Sequence, residues 1–201
     1  KANQNNIYYI TGDNDSNLKN SPLLEMYNEK NIEVVIMDQD IDEFITPAVG
    51  KYKEFSLKSV NVSDAADDLQ TDEDKKDDDN IKPLIKKIKK VLGDQVKDVK
   101  VSSRLKGSPS CIVADSNDPT AKMQEIMKAM GQQYGQQDVK PILEINPSHA
   151  IILKMKTMRK SRSFNDISQL LFDQAVLLEG AKLQNPTEFV ERLNTILSET
   201  L

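Results

Sequence analysis

Cysteine, histidine and tryptophan are almost missing from this chain, whose 201 residues include one Cys, one His and no Trp. The single Cys111 excludes an internal disulfide, because that bond needs two cysteines. One Cys and one His also provide too few ligands for a structural zinc ion, which takes four. A chain without disulfides is typical of a reducing compartment, so we expect a cytoplasmic protein.

Long apolar runs are missing as well. No stretch approaches the roughly 20 apolar residues of a membrane-spanning helix, so we expect no membrane segment. The first residues, Lys1 to Asn6, lack the apolar stretch of a secretion signal. They look like the middle of a chain rather than its beginning, and we therefore expect a fragment of a longer protein.

The common signatures of catalysis are absent too. The seven glycines are scattered, and no phosphate-binding loop, Gly-x-Ser-x-Gly or His-Glu-x-x-His motif occurs. Residues 13–17 begin like a calcium-binding loop, but Leu18 stands where that loop needs glycine and Leu24 where it needs glutamate. The sequence therefore predicts no catalytic residue, no cofactor site and no metal site in this chain.

Negative charge is concentrated in one segment. The chain has 27 Lys and Arg against 32 Asp and Glu, a net charge of −5, and residues 64–79 alone hold nine acids and two lysines. Like charges repel and few apolar residues occur here, which predicts a flexible, solvated linker over 63–79. The linker would separate a domain over 1–62 from a domain over 80–201. A polar loop inside one domain is the alternative.

The pattern before this segment alternates between strands and helices. Short apolar runs predict strands at 7–10, 34–37 and 55–59. Between them, Ser21-Pro22 opens one predicted helix, and a second covers 41–49 and stops at Gly50. This order predicts a small βαβαβ unit of the α/β class.

After the linker the pattern is that of an α+β domain. Apolar spacing predicts a helix over 81–92, and strands are expected near 99–101 and 110–114, joined as an antiparallel pair by a turn at 107–109. Three cap-plus-proline pairs predict helix starts, with His149 as a polar residue in the first turn of the second helix. The pairs are Asp118-Pro119, Asn146-Pro147 and Asn185-Pro186.

Two apolar helices close the chain. The first is expected over about 164–179 with Ser163 as its cap, and the second begins at Pro186. A helix that is apolar on most sides must be covered on most sides, either by a second copy of the chain or within the monomer. Both arrangements stay open on the pattern alone. The residues concerned are Ile167, Leu170, Leu171, Leu178, Phe189, Val190, Leu193, Ile196 and Leu197.

One predicted helix carries an unusual methionine-rich stripe of Met123, Ile126, Met127 and Met130. Methionine is unbranched and polarizable, so such a surface adapts to apolar partners of different shapes. A Gln- and Gly-rich stretch follows at 131–137. The stripe is either an adaptable contact surface or part of the core.

Basic residues form two clusters, nine Lys and Arg within 82–106 and five within 154–162. They could contact phosphates, which makes a small nucleic-acid-binding module the alternative function. No aromatic residues interleave with them for base stacking, and the lysines of the first cluster lie opposite the apolar face of their helix. We therefore expect no nucleic-acid partner.

Several short motifs follow one another along nearly the whole chain. They are residues 7–12 (IYYITG), 20–25 (NSPLLE), 32–35 (IEVV), 40–44 (DIDEF), 96–99 (VKDV), 103–105 (SRL), 108–109 (SP), 143–149 (LEINPSH), 170–175 (LLFDQA) and 185–186 (NP). In their order and spacing these motifs resemble the ninety-kilodalton heat-shock chaperone family, especially its bacterial members.

The resemblance implies that residues 1 to about 62 correspond to the small α/β part of the family's middle domain, and residues from about 80 onward to its C-terminal dimerisation domain. The family's nucleotide-binding domain would then lie upstream. ATP and Mg would bind to the full-length parent, an ATPase, and not to this fragment, which needs no cofactor and is no enzyme.

The resemblance further implies a homodimer formed by the last two helices, and non-native client proteins that contact Phe44 and the stripe at Met123–Met130. Phe44 stands where relatives often carry Trp. The chain ends in Ser198-Glu199-Thr200-Leu201 and not in the Met-Glu-Glu-Val-Asp tail of some relatives. Tetratricopeptide co-chaperones are therefore not expected as partners.

Overall fold

The computed structural model describes residues 4–69, 78–131, 139–158 and 161–200 as a mixture of helices and strands arranged around two sheets. Over these ranges, no helix combines the length and the apolar composition that crossing a bilayer requires.

The first sheet has four strands, in the order β2-β1-β4-β3. The strand β1 pairs in parallel with β2 and β4, and β3 pairs antiparallel with β4. This confirms the predicted βαβαβ order and adds the short strand β3, which forms a hairpin at the edge. The strands are β1 (Asn6–Thr11), β2 (Val34–Met37), β3 (Lys51–Tyr52) and β4 (Phe55–Ser59).

Three short helices connect these strands: α1 (Asp15–Lys19), α2 (Glu25–Glu29) and α3 (Asp42–Val49). The hydroxyl of Ser21 accepts a hydrogen bond from the Leu23 amide at 3.2 Å and starts a 3-10 turn that leads into α2. The helix α3 ends at Gly50, whose φ of 63° lies in the left-handed region that glycine adopts without strain.

The second sheet has three strands, β5 (Asp98–Val101), β6 (Ser110–Val113) and β7 (Ile142–Ile145), in the order β5-β7-β6. The predicted antiparallel pair of β5 with β6 is wrong. The fully buried strand β7 lies between them, parallel to β5 and antiparallel to β6. A strand without exposed residues needs a neighbour on each edge, and the connection 102–109 is no tight turn, because it buries Ser102 and Arg104.

Among the residues described from 78 onward, five α-helices occur: α4 (Asp78–Leu92), α5 (Ala121–Ala129), α6 (Ala150–Thr157), α7 (Ser161–Leu178) and α8 (Pro186–Thr200). The start of α8 is confirmed, since the Asn185 side chain accepts the Glu188 amide at 3.2 Å.

Three other predicted helix starts are wrong. Thr120 caps α5 and His149 caps α6, where its Nδ1 accepts the Ile151 amide at 3.2 Å. Asp118-Pro119 and Asn146-Pro147 therefore precede the caps and belong to the connection that leads into each helix. Ser163 lies inside α7, where its hydroxyl donates to Glu199 at 3.0 Å.

The predicted acidic linker at 63–79 differs from a solvated loop in the part that the structure describes. Ala65 and Ala66 are buried, and the Asp68 carboxylate accepts hydrogen bonds from the Tyr8 hydroxyl at 2.5 Å and from Lys58 at 2.7 Å. The small alanines and the partners of Asp68 let this segment pack in spite of its charge. Residues 70–77 lie outside the described residues, and the domain boundaries at 62 and 80 stay a prediction.

Two cores hold the fold together. One lies between the second sheet and the helices α4, α6 and α7. The other includes Tyr8, Tyr27 and Val60 of the first half together with Cys111 and Ile142 of the second. The two halves of the chain therefore share a core.

A buried ion pair lies at this shared core. The guanidinium of Arg104 donates to the Glu144 carboxylate at 3.0 Å and to the carbonyl oxygens of Val60 and Val62 at 2.6 and 2.9 Å. Arg104 lies just after β5, Glu144 is on β7, and Val60 follows β4. One side chain thus joins the second sheet to the end of the first.

Candidate functional site

The methionine-rich stripe lies on the surface of α5. Thr120 caps this helix by accepting the Met123 amide at 3.0 Å. None of the residues of α5 is fully buried, and Met130 at the end of the stripe is 64% exposed. Met123, Ile126 and Met127 are partly buried. The stripe is therefore no part of the buried core, and it is open to solvent chiefly at Met130.

The structure brings α5 into contact with α3, which carries Phe44. Phe44 is partly buried, and three further apolar residues of α3, namely Ile41, Ile45 and Val49, are exposed. We call the two helix faces together the α3–α5 surface. It comprises Ile41, Phe44, Ile45, Val49, Met123, Ile126, Met127 and Met130.

Sequence reasoning missed Ile41, Ile45 and Val49 as parts of a surface. Their spacing of four residues predicts one face of a helix, but an apolar face is usually turned toward a core.

The predicted dimer residues separate into two groups. Leu171 is only 2% exposed and belongs to the core beneath β6, where its carbonyl oxygen accepts the Ser110 hydroxyl at 2.8 Å. The structure therefore assigns Leu171 to the chain's own interior, against the expectation for the interface. Ile167 packs beside the same core, and Leu170, Phe189 and Ile196 are partly buried.

The other group is exposed. Val190, Leu193 and Leu197, spaced three and four residues apart on α8, are 49%, 38% and 48% exposed. Leu178 at the end of α7 is exposed as well, and so is its neighbour Leu177, which the sequence reasoning did not include. We call these five residues the C-terminal apolar face.

Polar contacts hold α8 against α7. The guanidinium of Arg192 on α8 lies 3.9 Å from Asp166 and 3.7 Å from Asp173 on α7, and it also pairs with Glu188. Burial raises the pKa of Asp173 above its usual value, while the hydrogen bond from Gln169 opposes this shift. Because charged groups join the two helices on one side, the apolar residues of α8 that remain exposed lie elsewhere on its surface.

A groove of about 1010 Å³ runs beside α5, β6 and α7, bordered by Thr120, Val113 and Phe172 among others. At its edge, the Asn61 side chain donates to the Glu179 carboxylate at 2.8 Å. Burial raises the pKa of Glu179 to about 7. Among the described residues, no group of three carboxylate, histidine or cysteine side chains could hold a metal ion.

Several residues of the first basic cluster are buried or paired within the fold. In the first cluster, Arg104 is buried, Lys89 pairs with Asp98 at 2.7 Å, and Lys97 pairs with Asp118 at 2.7 Å. In the second cluster, residues 159 and 160 lie outside the described residues. The structure therefore offers little support for the nucleic-acid alternative.

Comparisons with known proteins agree with the resemblance in the sequence. The profile of the family described as Hsp90 protein matches residues 1–201. The chain is 44% identical to the chaperone protein HtpG of Treponema denticola, over 98% of the chain and 31% of that protein. It is 45% identical to HtpG of Campylobacter jejuni, over 98% of the chain and 31% of that protein.

A further relative, HtpG of Borrelia garinii subsp. bavariensis, is 38% identical over all of the chain and 32% of that protein. The chain thus spans about a third of the length of these relatives. A match of the family profile along the full chain, together with these identities, shows that the chain belongs to the Hsp90 family of chaperones and is of the bacterial HtpG type.

Proposed function

We propose that this chain is the dimerising and client-binding part of an ATP-driven molecular chaperone that assists protein folding in the cytoplasm. The observation that carries this proposal is a pair of apolar surfaces: the exposed C-terminal apolar face, and the α3–α5 surface, of which Ile41, Ile45, Val49 and Met130 are exposed and the other residues partly buried. Folded soluble chains seldom leave large contiguous apolar areas in water, and such areas mark interaction sites.

The C-terminal apolar face suits a second copy of the chain. It lies on two antiparallel helices at one end of the fold, and a two-fold axis would bring two such pairs together as a four-helix bundle. A permanent joint of this kind raises the effective concentration of the remaining domains of each subunit for one another. The resemblance described in the sequence analysis implies dimerisation through these helices, which supports this role.

The α3–α5 surface suits non-native polypeptides. Methionine side chains adapt to apolar groups of different shapes, and three of the four stripe residues on α5 are methionines. The surface has contributions from both halves of the chain, so its shape depends on how these halves are joined. Chains that have not folded expose apolar side chains and would be held here without selection for one sequence.

ATP and Mg belong, in this proposal, to parts of the full-length protein outside this chain. The relatives are about three times as long as the chain. The chain's own contribution is mechanical: it joins two subunits and offers a surface to the client.

Binding of a permanently unfolded protein tests the client role. Fluorescent, reduced and carboxymethylated α-lactalbumin is the probe, and its anisotropy gives the dissociation constant. The double variant Met127→Ser with Met130→Ser should weaken binding about thirtyfold, because each of the two lost apolar contacts contributes about 1 kcal/mol. The matched control is Ile151→Ser with Leu153→Ser, which changes two exposed apolar residues of α6 away from the α3–α5 surface.

Equal affinities of the two double variants would refute the client role of the stripe. A large loss of thermal stability in the Met variant would instead show that the stripe supports the fold. If the probe fails to bind the unaltered chain and a labelled oligonucleotide binds with a steep dependence on salt, the nucleic-acid alternative replaces the proposal.

A further inference from the structure

A lysine at the start of α5 stands where the local rules of helix formation disfavour it. Lys122 is in the first turn, which has no acidic residue. The positive end of the helix dipole lies there, so a positive side chain at this position is unfavourable by itself. A residue that opposes its local preference is commonly retained for a contact elsewhere in the fold.

That contact is with two loops of the first sheet. The ammonium group of Lys122 pairs with the carboxylate of Asp13 and lies 3.0 Å from that of Asp40. Asp13 follows β1 and Asp40 precedes α3, at the carboxyl ends of the adjacent parallel strands β1 and β2. One cation from the second half of the chain therefore joins two neighbouring loops of the first half.

The three groups differ in exposure. The side chain of Lys122 is only 19% exposed, whereas both carboxylates are largely in water. The hydrogen bond with Asp13 is the main cause that raises the pKa of Lys122 above its usual value, so the lysine stays charged at neutral pH. The Asp13 and Asp40 side chains are 49% and 70% exposed, so salt in the solvent screens this contact.

A second contact joins the same two helices. The Thr120 hydroxyl, at the cap of α5, donates to the Glu43 carboxylate on α3 at 2.7 Å. The first turn of α5 is thus attached to the first half of the chain, while Met130 at its other end is exposed. The helix is about 13 Å long, so a rotation of about 10° at its attached end would move Met130 by about 2 Å.

We propose that Lys122 is a positioning residue: through its ion pairs with Asp13 and Asp40 it holds α5 beside α3 and so sets the spacing of the two halves of the α3–α5 surface. This inference rests on the proposed client role of that surface. The inference adds that client binding depends on the charge of Lys122, because a salt-sensitive ion pair would hold the two parts of the apolar α3–α5 surface in place.

Removal of the charge should weaken client binding without unfolding the chain. In 0.05 M salt, Lys122→Gln should raise the dissociation constant of the labelled α-lactalbumin about threefold to tenfold, as loss of a partly buried ion pair would. In 1 M salt the ratio of variant to unaltered chain should approach one, because the ion pair is then screened. The matched control is Lys122→Arg, which keeps a positive charge at the same position and should leave the dissociation constant close to that of the unaltered chain.

A double-mutant cycle separates the ion pairs from any effect on α5 itself. Asp13→Asn with Asp40→Asn leaves the sequence of α5 intact and should weaken binding as Lys122→Gln does. The triple variant should be no weaker than either, since the same contact is lost in each case. Additive losses would overturn the inference. If Lys122→Gln fails to fold, the variant Asp13→Asn with Asp40→Asn still tests the ion pairs, and unchanged binding by that variant would overturn the inference.

A distance measurement gives a readout that affinity alone does not. Spin labels at Ala48→Cys on α3 and Ala129→Cys on α5 occupy exposed positions, whereas Cys111 is buried. The labelled chain is mixed with excess unlabelled chain so that only distances within one subunit are recorded. The distribution should broaden or shift with Lys122→Gln and stay close to that of the unaltered chain with Lys122→Arg.

An unchanged distance with Lys122→Gln would overturn the inference even if affinity falls. The outcome is separable from that of the proposed function. If the Met127 and Met130 variant weakens binding and Lys122→Gln does not, the client surface stands and only the positioning role fails. If the Met127 and Met130 variant binds the probe as the unaltered chain does, the client role of the surface is refuted, and the positioning inference that rests on it is refuted as well.

Discussion

Placing two negative charges on the C-terminal apolar face should abolish dimerisation. The change is Leu193→Glu with Leu197→Glu, at two exposed positions one turn apart on α8. Both side chains already contact water in the isolated chain, so the substitution should leave the core and the fold of the subunit intact. Leu170 is a poorer position for this test, because it is partly buried and its replacement would also disturb α7.

The expected magnitude follows from burial. Completely burying a leucine side chain contributes about 1.5–3 kcal/mol, so covering the exposed part of each of these leucines contributes about 1 kcal/mol. A two-fold interface contains each residue twice, and the variant therefore loses about 4 kcal/mol of apolar contact. This loss raises the dissociation constant about a thousandfold, and four carboxylates near one axis add repulsion.

The matched control is Asn194→Glu with Ser198→Glu. It adds the same number of negative charges to the same two turns of α8, at exposed positions next to the leucines. The unfavourable effect of glutamate near the end of a helix is then the same in both variants. The control should remain a dimer.

The assay is sedimentation velocity at protein concentrations from about 1 to about 50 μM. The unaltered chain should sediment as a species of twice 22.7 kDa and the leucine variant as a species of 22.7 kDa. The unfolding temperature of the leucine variant should match that of the unaltered chain when the latter is diluted until it is monomeric. A folded monomer of the unaltered chain throughout this range would refute the reasoning, and a leucine variant that stays dimeric would place the interface on another face.

Two further outcomes concern the junction between the halves of the chain. Arg104→Met should reduce the free energy of unfolding by about 3–5 kcal/mol in urea denaturation, because Glu144 is left charged and buried without its partner, and a loss below about 1 kcal/mol would contradict this. The raised pKa of Glu179 means that the folded chain binds more protons than the unfolded chain between about pH 4.5 and pH 7, so this residue's contribution to stability should fall as pH rises through that range. Glu179→Gln should flatten that part of the profile, at most about 1.4 kcal/mol per pH unit, and an identical profile for both proteins would show that another group is responsible.

Much of the local structure is predictable because it depends on neighbours in the sequence. The strand at Val34–Met37, the helix end at Gly50 and the start of α8 at Pro186 follow from apolar runs, a left-handed glycine and a side-chain cap. The methionine stripe is visible for the same reason, since residues three and four apart share a helix face. In each case the physical signal lies within a few residues.

The errors arose where a distant residue decides the outcome. The sequence between β5 and β6 predicts a hairpin, but β7, which comes some thirty residues later, takes the place between them. Leu171 has the pattern of an interface residue, but its side chain faces the core under β6. Asp68 belongs to a repulsive acidic run, yet Tyr8 and Lys58 of the first sheet neutralise and bind it.

The sequence by itself determined the family, the order of strands and helices in the first half, and the two apolar helices at the end. These properties follow from residue identity and from spacing along the chain. Only the tertiary structure decided which apolar residues stay in water, how Arg104 joins the two sheets, and that Lys122 meets Asp13 and Asp40. Exposure and ion pairing depend on which segments pack together, and that information is absent from the spacing within any one segment.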